Sequence, residues 1–91
     1  MEPARLETVR RTFNINNFES ITIEGTSAHP DPRIAHLTAQ IDCLKKAQLS
    51  MIRIFNVRKQ YNNANEFDEL TYSVVTTEIQ GLDSELSNLK L

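Results

Sequence analysis

The stretch Pro32–Lys59 most constrains this chain, because it carries more apolar helical surface than one neighbouring helix can cover. It opens on a proline, contains no glycine and is rich in helix formers, which predicts one long helix with Asp31 as its N-cap. One set of side chains, the apolar row, is spaced alternately by three and four residues and so shares one face. Its members are Ile34, Leu37, Ile41, Leu44, Gln48, Met51 and Phe55.

A second set on the same helix, the small-residue row, follows the same alternation with mostly smaller side chains. Its members are His36, Gln40, Cys43, Ala47, Ser50, Ile54 and Val57. Small side chains at this spacing let another element approach closely, so the row is expected to meet a β-hairpin, a second copy or a foreign protein. We expect a second copy, with an oligomer interface formed by Cys43, Ala47, Ser50, Ile54 and Val57.

A second helix is predicted over residues 66–90, after a turn at residues 60–65. Its apolar stripe alternates by three and four residues, is flanked by Phe67, Leu70 and Val74, and lies opposite a polar face. The stripe consists of Tyr72, Val75, Ile79, Leu82, Leu86 and Leu89. Because the connection is short, the two helices are predicted to be antiparallel neighbours, with the apolar row meeting this stripe.

The N-terminal part of the chain alternates apolar and polar residues, which predicts a β-hairpin over residues 8–24. A two-residue loop would pair Thr12 with Ile21, which mixes the two faces of the sheet. A three-residue loop pairs Phe13 with Ile21 and Arg11 with Ile23, which matches the apolar positions better and is the register we prefer. Residues 25–31, which include Gly25 and Pro30, are predicted to be a linker.

The expected fold is therefore an α+β, helix-dominated single small domain over residues 1–91, with a β-hairpin followed by a long antiparallel helical hairpin. A core in a chain of 91 residues supplies limited stability, so we expect oligomerisation to complete it as a helix bundle, with a dimer favoured.

Charge is distributed unevenly along the sequence. Residues 1–59 contain nine Lys/Arg and six Asp/Glu, a net charge of +3, whereas residues 60–91 contain one lysine and six acids, a net charge of −5. A basic helix end beside an acidic helix start is favoured by the helix dipoles. If the chain binds an anion, the candidate residues are Arg10, Arg11, Arg53, Arg58 and Lys59.

No catalytic, metal-binding or nucleotide-binding motif is found in the sequence. Cys43 has no histidine four residues away, and its distance from His36 along the helix is about 10 Å, too long for one metal ion. The glycines, Gly25 and Gly81, form no phosphate-binding loop. We therefore expect no enzymatic activity, no metal and no cofactor.

The sequence also favours a cytoplasmic protein that does not enter a membrane. No apolar run reaches the length of a membrane span, the first residues lack an apolar secretory segment, and the single cysteine suits a reducing compartment. The predicted function is a protein–protein interaction module that self-associates through the first helix and binds or inhibits a partner protein. The alternative is a small oligomeric protein that sequesters a nucleotide or nucleic acid.

Overall fold

The computed structural model of this chain describes residues 5–15, 18–60 and 69–90. Two strands, β1 (Arg5–Asn14) and β2 (Ser20–His29), are followed by two helices, α1 (Pro32–Gln60) and α2 (Glu69–Lys90). The predicted order of a β-hairpin followed by a helical hairpin is confirmed, and most of the structure is helical. Gln60 belongs to α1 and not to the predicted turn, while the rest of that turn and the expected start of α2 lie outside the described residues.

The register of the hairpin is the one predicted from the matching of apolar positions. Phe13 pairs with Ile21 and Arg11 with Ile23, and the antiparallel pairing continues to Arg5 opposite His29 without a bulge. A shift by one residue would turn the apolar side chains of a strand to the solvent, so burial of one face fixes this register.

The prediction of a linker over residues 25–31 is wrong for Gly25–His29, which is part of strand β2 and not a connecting segment. Gly25 pairs with Val9 in the middle of the sheet and is buried. A glycine within a strand often marks a place where another backbone approaches closely, rather than a break. Here the neighbouring backbone is that of α1, and the connection is reduced to Pro30 and Asp31.

Helix α1 begins where the proline and aspartate signals predicted. The Asp31 carboxylate accepts a hydrogen bond from the Arg33 N–H at 2.9 Å, and the Asp31 carbonyl accepts one from the Ala35 N–H at 3.0 Å. These contacts satisfy backbone donors that a helix leaves unpaired at its start. The bond from the Arg33 backbone, followed by that from its side chain, lowers the pKa of Asp31.

The two-stranded sheet lies with one face on α1 and the other toward solvent. On the inner face Phe13 is buried and Ile21 and Ile23 are partly buried, whereas Thr12 and Thr22 on the outer face are exposed and share a hydrogen bond of 3.0 Å. An isolated hairpin of two strands is marginally stable in water, so this sheet depends on its contact with the helix.

The core lies where the hairpin and α2 meet α1. Leu44 and Met51 of the apolar row are fully buried and cluster with Val75 and Ile79 of α2, as predicted, and with Phe13 of β1. Burying a side chain of this size contributes about 1.5–3 kcal/mol. The Gln48 side-chain amide also donates to the Thr76 hydroxyl at 2.6 Å between the two helices. Neither described helix is both long and apolar enough to cross a membrane.

Gly81 lies within α2, is exposed, and an added Cβ there would meet no atom within 4 Å. Glycine in a helix is less favourable than alanine by about 1 kcal/mol because it loses more backbone entropy on folding. We therefore expect Gly81→Ala to stabilise the chain by about 0.5–1 kcal/mol. Urea unfolding monitored by circular dichroism measures this change, and a loss of stability would show that the position has a close neighbour.

Candidate functional site

The hairpin, and not a second copy, covers the middle of the small-residue row. Cys43 and Ala47 are both 0% exposed and belong to the cluster that contains Phe13. Their predicted place in an oligomer interface is therefore a correction, because side chains buried within one chain offer no surface to another. Of the five predicted interface residues, Ser50 and Ile54 are partly exposed and Val57 is 53% exposed.

The contact between sheet and helix follows a ridge of small side chains that the sequence analysis did not single out. Ala35, Ala39, Cys43 and Ala47 are spaced by four residues, and all are 0% exposed. Ridges of this spacing run obliquely to a helix axis. The hairpin therefore crosses α1 at an angle. Along the C-terminal half of α1 it no longer lies over the small-residue row. The signal in the sequence was the regular repeat of alanine and cysteine at every fourth position.

Gly25 is the point of closest approach between β2 and α1. A Cβ built at this position would lie 2.3 Å from the backbone nitrogen of Cys43 and 2.4 Å from the carbonyl oxygen of Ala39. These distances are shorter than any real carbon contact, so the strand rests directly on the helix backbone. The contact explains why the ridge beneath it contains small residues.

Cys43 is a structural residue at this contact. Its thiol donates a hydrogen bond to the Ile23 carbonyl at 3.3 Å, and burial is the main cause of a raised pKa for the thiol. A buried thiol that remains protonated is a poor nucleophile. This environment gives Cys43 a packing role beneath the sheet.

Side chains of α1 contact the outer edge of β2. The Asp42 carboxylate accepts a hydrogen bond from the Thr26 N–H at 2.9 Å and forms an ion pair of 2.9 Å with Lys46. The ammonium group of Lys46 also donates to the Glu24 carbonyl at 3.5 Å. The Thr26 bond, ahead of the contacts with Lys46, lowers the pKa of Asp42.

The lowered pKa of Asp42 predicts a contribution to acid stability. A carboxyl group whose pKa is depressed on folding stabilises the chain above its unfolded pKa of about 4, and the stabilisation is lost as the pH falls through the folded pKa. We expect Asp42→Asn to cost up to about 1 kcal/mol at pH 7 and to make the melting temperature fall less steeply below about pH 4. Melting temperatures measured between pH 2 and 7 test this, with Asp83→Asn on exposed α2 surface as the control. If the melting temperatures of the unmodified chain and of both variants fell equally steeply below about pH 4, the prediction would be contradicted.

The C-terminal half of α1 exposes a concentration of apolar side chains, here called the α1 surface: Leu49, Ile52, Ile54 and Val57. The exposed fractions of Leu49, Ile52 and Val57 are 57%, 41% and 53%. Ile54 and Val57, together called the apolar floor, line a shallow depression of about 330 Å³ with Arg53 and Arg58. The site therefore combines an apolar floor with two cationic side chains.

The candidate anion-binding residues do not converge on one site. Arg10 pairs with Glu24 at 3.5 Å on the outer face of the sheet, and Arg58 pairs with Glu19 near the hairpin loop. Arg53 and Lys59 are both exposed near the end of α1.

Arg11 joins the sheet to α2. Its guanidinium bonds both carboxylate oxygens of Glu78, at 2.6 and 3.4 Å, and lies 5.1 Å from the centre of the Phe13 ring. The hydrogen bonds to Glu78 are the main cause of its raised pKa. Three of the five candidate cations, Arg10, Arg11 and Arg58, thus already have carboxylate partners within the chain.

Among the residues that the structure describes, no group of three or more His, Cys, Asp and Glu side chains could hold a metal ion. Comparisons of this chain with protein-family models, curated proteins and solved structures return no match.

Proposed function

We propose that this chain is a non-enzymatic protein-interaction module that self-associates through the α1 surface and binds a partner protein. The observation that supports the proposal is the apolar segment Leu49–Val57 at the end of the helix. Six of its nine side chains are apolar, and of these Met51 alone is fully buried.

A helix that is apolar around most of its circumference is typical of a protein interior. Single exposed apolar side chains are ordinary on protein surfaces, but a concentration of them on one segment is typical of an interface. Covering such a group recovers about 25 cal/mol for each Å² of apolar area removed from water. The α1 surface is therefore the part of the described chain with most to gain from a partner.

A second copy is the simplest first partner for this surface. Two copies related by a two-fold axis bring the same patch of each chain into contact, so an apolar surface can match itself. Pairing of two helical hairpins through α1 would form a four-helix bundle. The arginines beside the apolar floor would lie at the rim, where a partner protein with acidic residues could also bind.

The test compares two neighbouring substitutions on α1. Val57→Glu adds a charge to the α1 surface, whereas Asn56→Glu adds the same charge at an exposed polar position beside it. We expect the unmodified chain and Asn56→Glu to self-associate at micromolar concentration in sedimentation velocity, and Val57→Glu to lose at least a tenfold factor in affinity while remaining folded. An unmodified chain that sediments as a monomer would refute the self-association.

Anion capture, the second candidate, is supported by the depression between Arg53 and Arg58. Its apolar residues would contact a nucleotide base or sugar, while the exposed Arg53 would contact phosphate. Binding of this kind depends steeply on salt concentration. A thermal-shift experiment with a nucleotide panel and single-stranded oligonucleotides tests it, with Arg53→Ala as the variant, and no shift at 50 mM salt would exclude it.

A further inference from the structure

Alternate backbone groups of β1 point away from β2. The Ile15 N–H donates to the Glu19 carbonyl at 2.9 Å, and the pairing beyond it is regular. Hydrogen-bonded pairs recur at every second residue of an antiparallel ladder, so the odd-numbered residues of β1 bond to β2. The even-numbered residues present their N–H and C=O groups at the outer edge of the sheet. Within β1 these residues are Leu6, Thr8, Arg10, Thr12 and Asn14.

The two edges of the sheet differ in what covers them. On β2, Asp42 accepts from the Thr26 N–H and Lys46 donates to the Glu24 carbonyl. No hydrogen bond from the described residues reaches the outward backbone groups of β1 at Leu6, Thr8, Arg10 and Thr12. The edge available for strand addition is therefore that of β1, which is ten residues long and contains no proline.

We propose that a second copy of this chain pairs its β1 antiparallel along this edge, with Val9 facing Val9 of the second copy. This arrangement converts two hairpins into one four-stranded sheet. It rests on the proposed function in one respect, that the chain self-associates, and it adds a contact separate from the α1 surface.

The geometry of the edge limits the registers that two β1 strands can adopt. Because the outward groups belong to even-numbered residues, each hydrogen-bonded pair between the two copies joins two even-numbered residues. The midpoint of such a pair is a residue number, so the two-fold axis must pass through a residue and not between two residues. An axis at Arg10 or Arg11 would place two arginines directly opposite each other, and an axis at Thr8 would place Arg5 opposite Arg11. Like charges directly opposite each other on neighbouring strands are destabilising.

An axis at Val9 gives the complementary arrangement. It places Glu7 of each copy opposite Arg11 of the other, so two pairs of opposite charge flank the central valines. Within the chain Glu7 lies 3.8 Å from His36 and Arg11 bonds Glu78, but the side chains of Glu7 and Arg11 remain 35% and 42% exposed, which leaves each a second side for a partner. The same register exchanges about eight backbone hydrogen bonds between the outward residues.

Disulfide trapping tests the register. Val9 lies at a non-hydrogen-bonded position of this pairing, where facing Cα atoms are about 4.5 Å apart, within the range for a disulfide. We expect Val9→Cys to form a cross-linked dimer under mild oxidation, seen on a non-reducing gel at about twice the chain mass of 10.4 kDa. Ala28→Cys, exposed on β2, is the matched control and should remain monomeric, as should the unmodified chain with its buried Cys43.

A second experiment distinguishes this contact from the α1 surface. Thr8→Pro removes an outward N–H without breaking the pairing with β2, and Thr22→Pro does the same at the edge of β2. We expect Thr8→Pro to weaken self-association at least tenfold and Thr22→Pro to leave it unchanged, both measured by sedimentation. The Val9→Cys cross-link should also form in the Val57→Glu background, because the two surfaces lie on different elements.

Each outcome decides the proposal. Cross-linking of Val9→Cys in both backgrounds supports pairing through β1, even if either proline variant fails to fold. Self-association of the unmodified chain without cross-linking at Val9 overturns this inference and leaves the proposed function intact. A monomeric chain without cross-linking overturns both.

Discussion

Gly25→Ala should destabilise this chain by about 3 kcal/mol or more, although it adds a single methyl group. That methyl would lie 2.3 Å from the Cys43 nitrogen and 2.4 Å from the Ala39 carbonyl oxygen, and both are backbone atoms of α1. A flexible side chain could move aside, but a helix backbone moves only if the strand is displaced from it. Overpacking a core commonly costs about 1–3 kcal/mol, and a backbone clash lies at the upper end of that range or beyond.

The measurement is urea unfolding of Gly25→Ala beside Gly81→Ala. The two substitutions are chemically identical, but α1 surrounds Gly25 while Gly81 lies in open space. The effects should therefore have opposite signs, with a loss at Gly25 and a gain of about 0.5–1 kcal/mol at Gly81. A loss below about 1 kcal/mol at Gly25 would contradict direct contact between the strand and the helix backbone.

Ala47→Glu should unfold the chain. This result would show that Ala47 is buried within one chain and not between two copies. Ala47 is 0% exposed beneath the hairpin, in the same cluster as Phe13 and Leu44. A carboxylate placed there has no partner, and an unpaired buried charge costs several kcal/mol. The total stability of a chain of this length is about 5–14 kcal/mol, so a loss of that size removes much or all of it.

The matched control for this substitution is Lys45→Glu, two positions away on the exposed side of α1. Its charge remains in water, so its far-UV circular dichroism and melting temperature should stay close to those of the unmodified chain. Ala47→Glu should instead lose helical signal at 25 °C. If Ala47→Glu were a folded monomer and the unmodified chain a dimer, Ala47 would lie between two copies, as the sequence analysis expected.

The order of elements and the hairpin register could be predicted because each depends on local pattern. Asp31 and Pro32 fix the start of α1 through capping and a preset backbone angle. Phe13 and Ile21 favour the register, because a three-residue loop places both on the inner face and a two-residue loop does not. Leu44 and Met51 were assigned correctly to the contact with α2, since a three-four row matches a second helix.

The partner of the small-residue row could not be predicted in the same way. Its spacing shows that something approaches closely, but spacing is the same whether that element is a strand or a helix. Gly25 suggested a linker because glycine weakens a strand, and this cost is outweighed here by contact with α1. The position of the candidate interface shifted with it, from Cys43 and Ala47 toward Ile54 and Val57.

The sequence by itself determined the start of α1, the pairing of the strands and the excess of apolar surface on α1, because periodicity and capping act between residues close in the chain. Only the tertiary structure decided which part of that excess is used internally. The hairpin crosses α1 along the oblique ridge from Ala35 to Ala47, so it covers the first half of the helix and leaves the α1 surface exposed. The crossing angle depends on where Gly25 lets two backbones touch, which is a relation between distant residues that no local pattern contains.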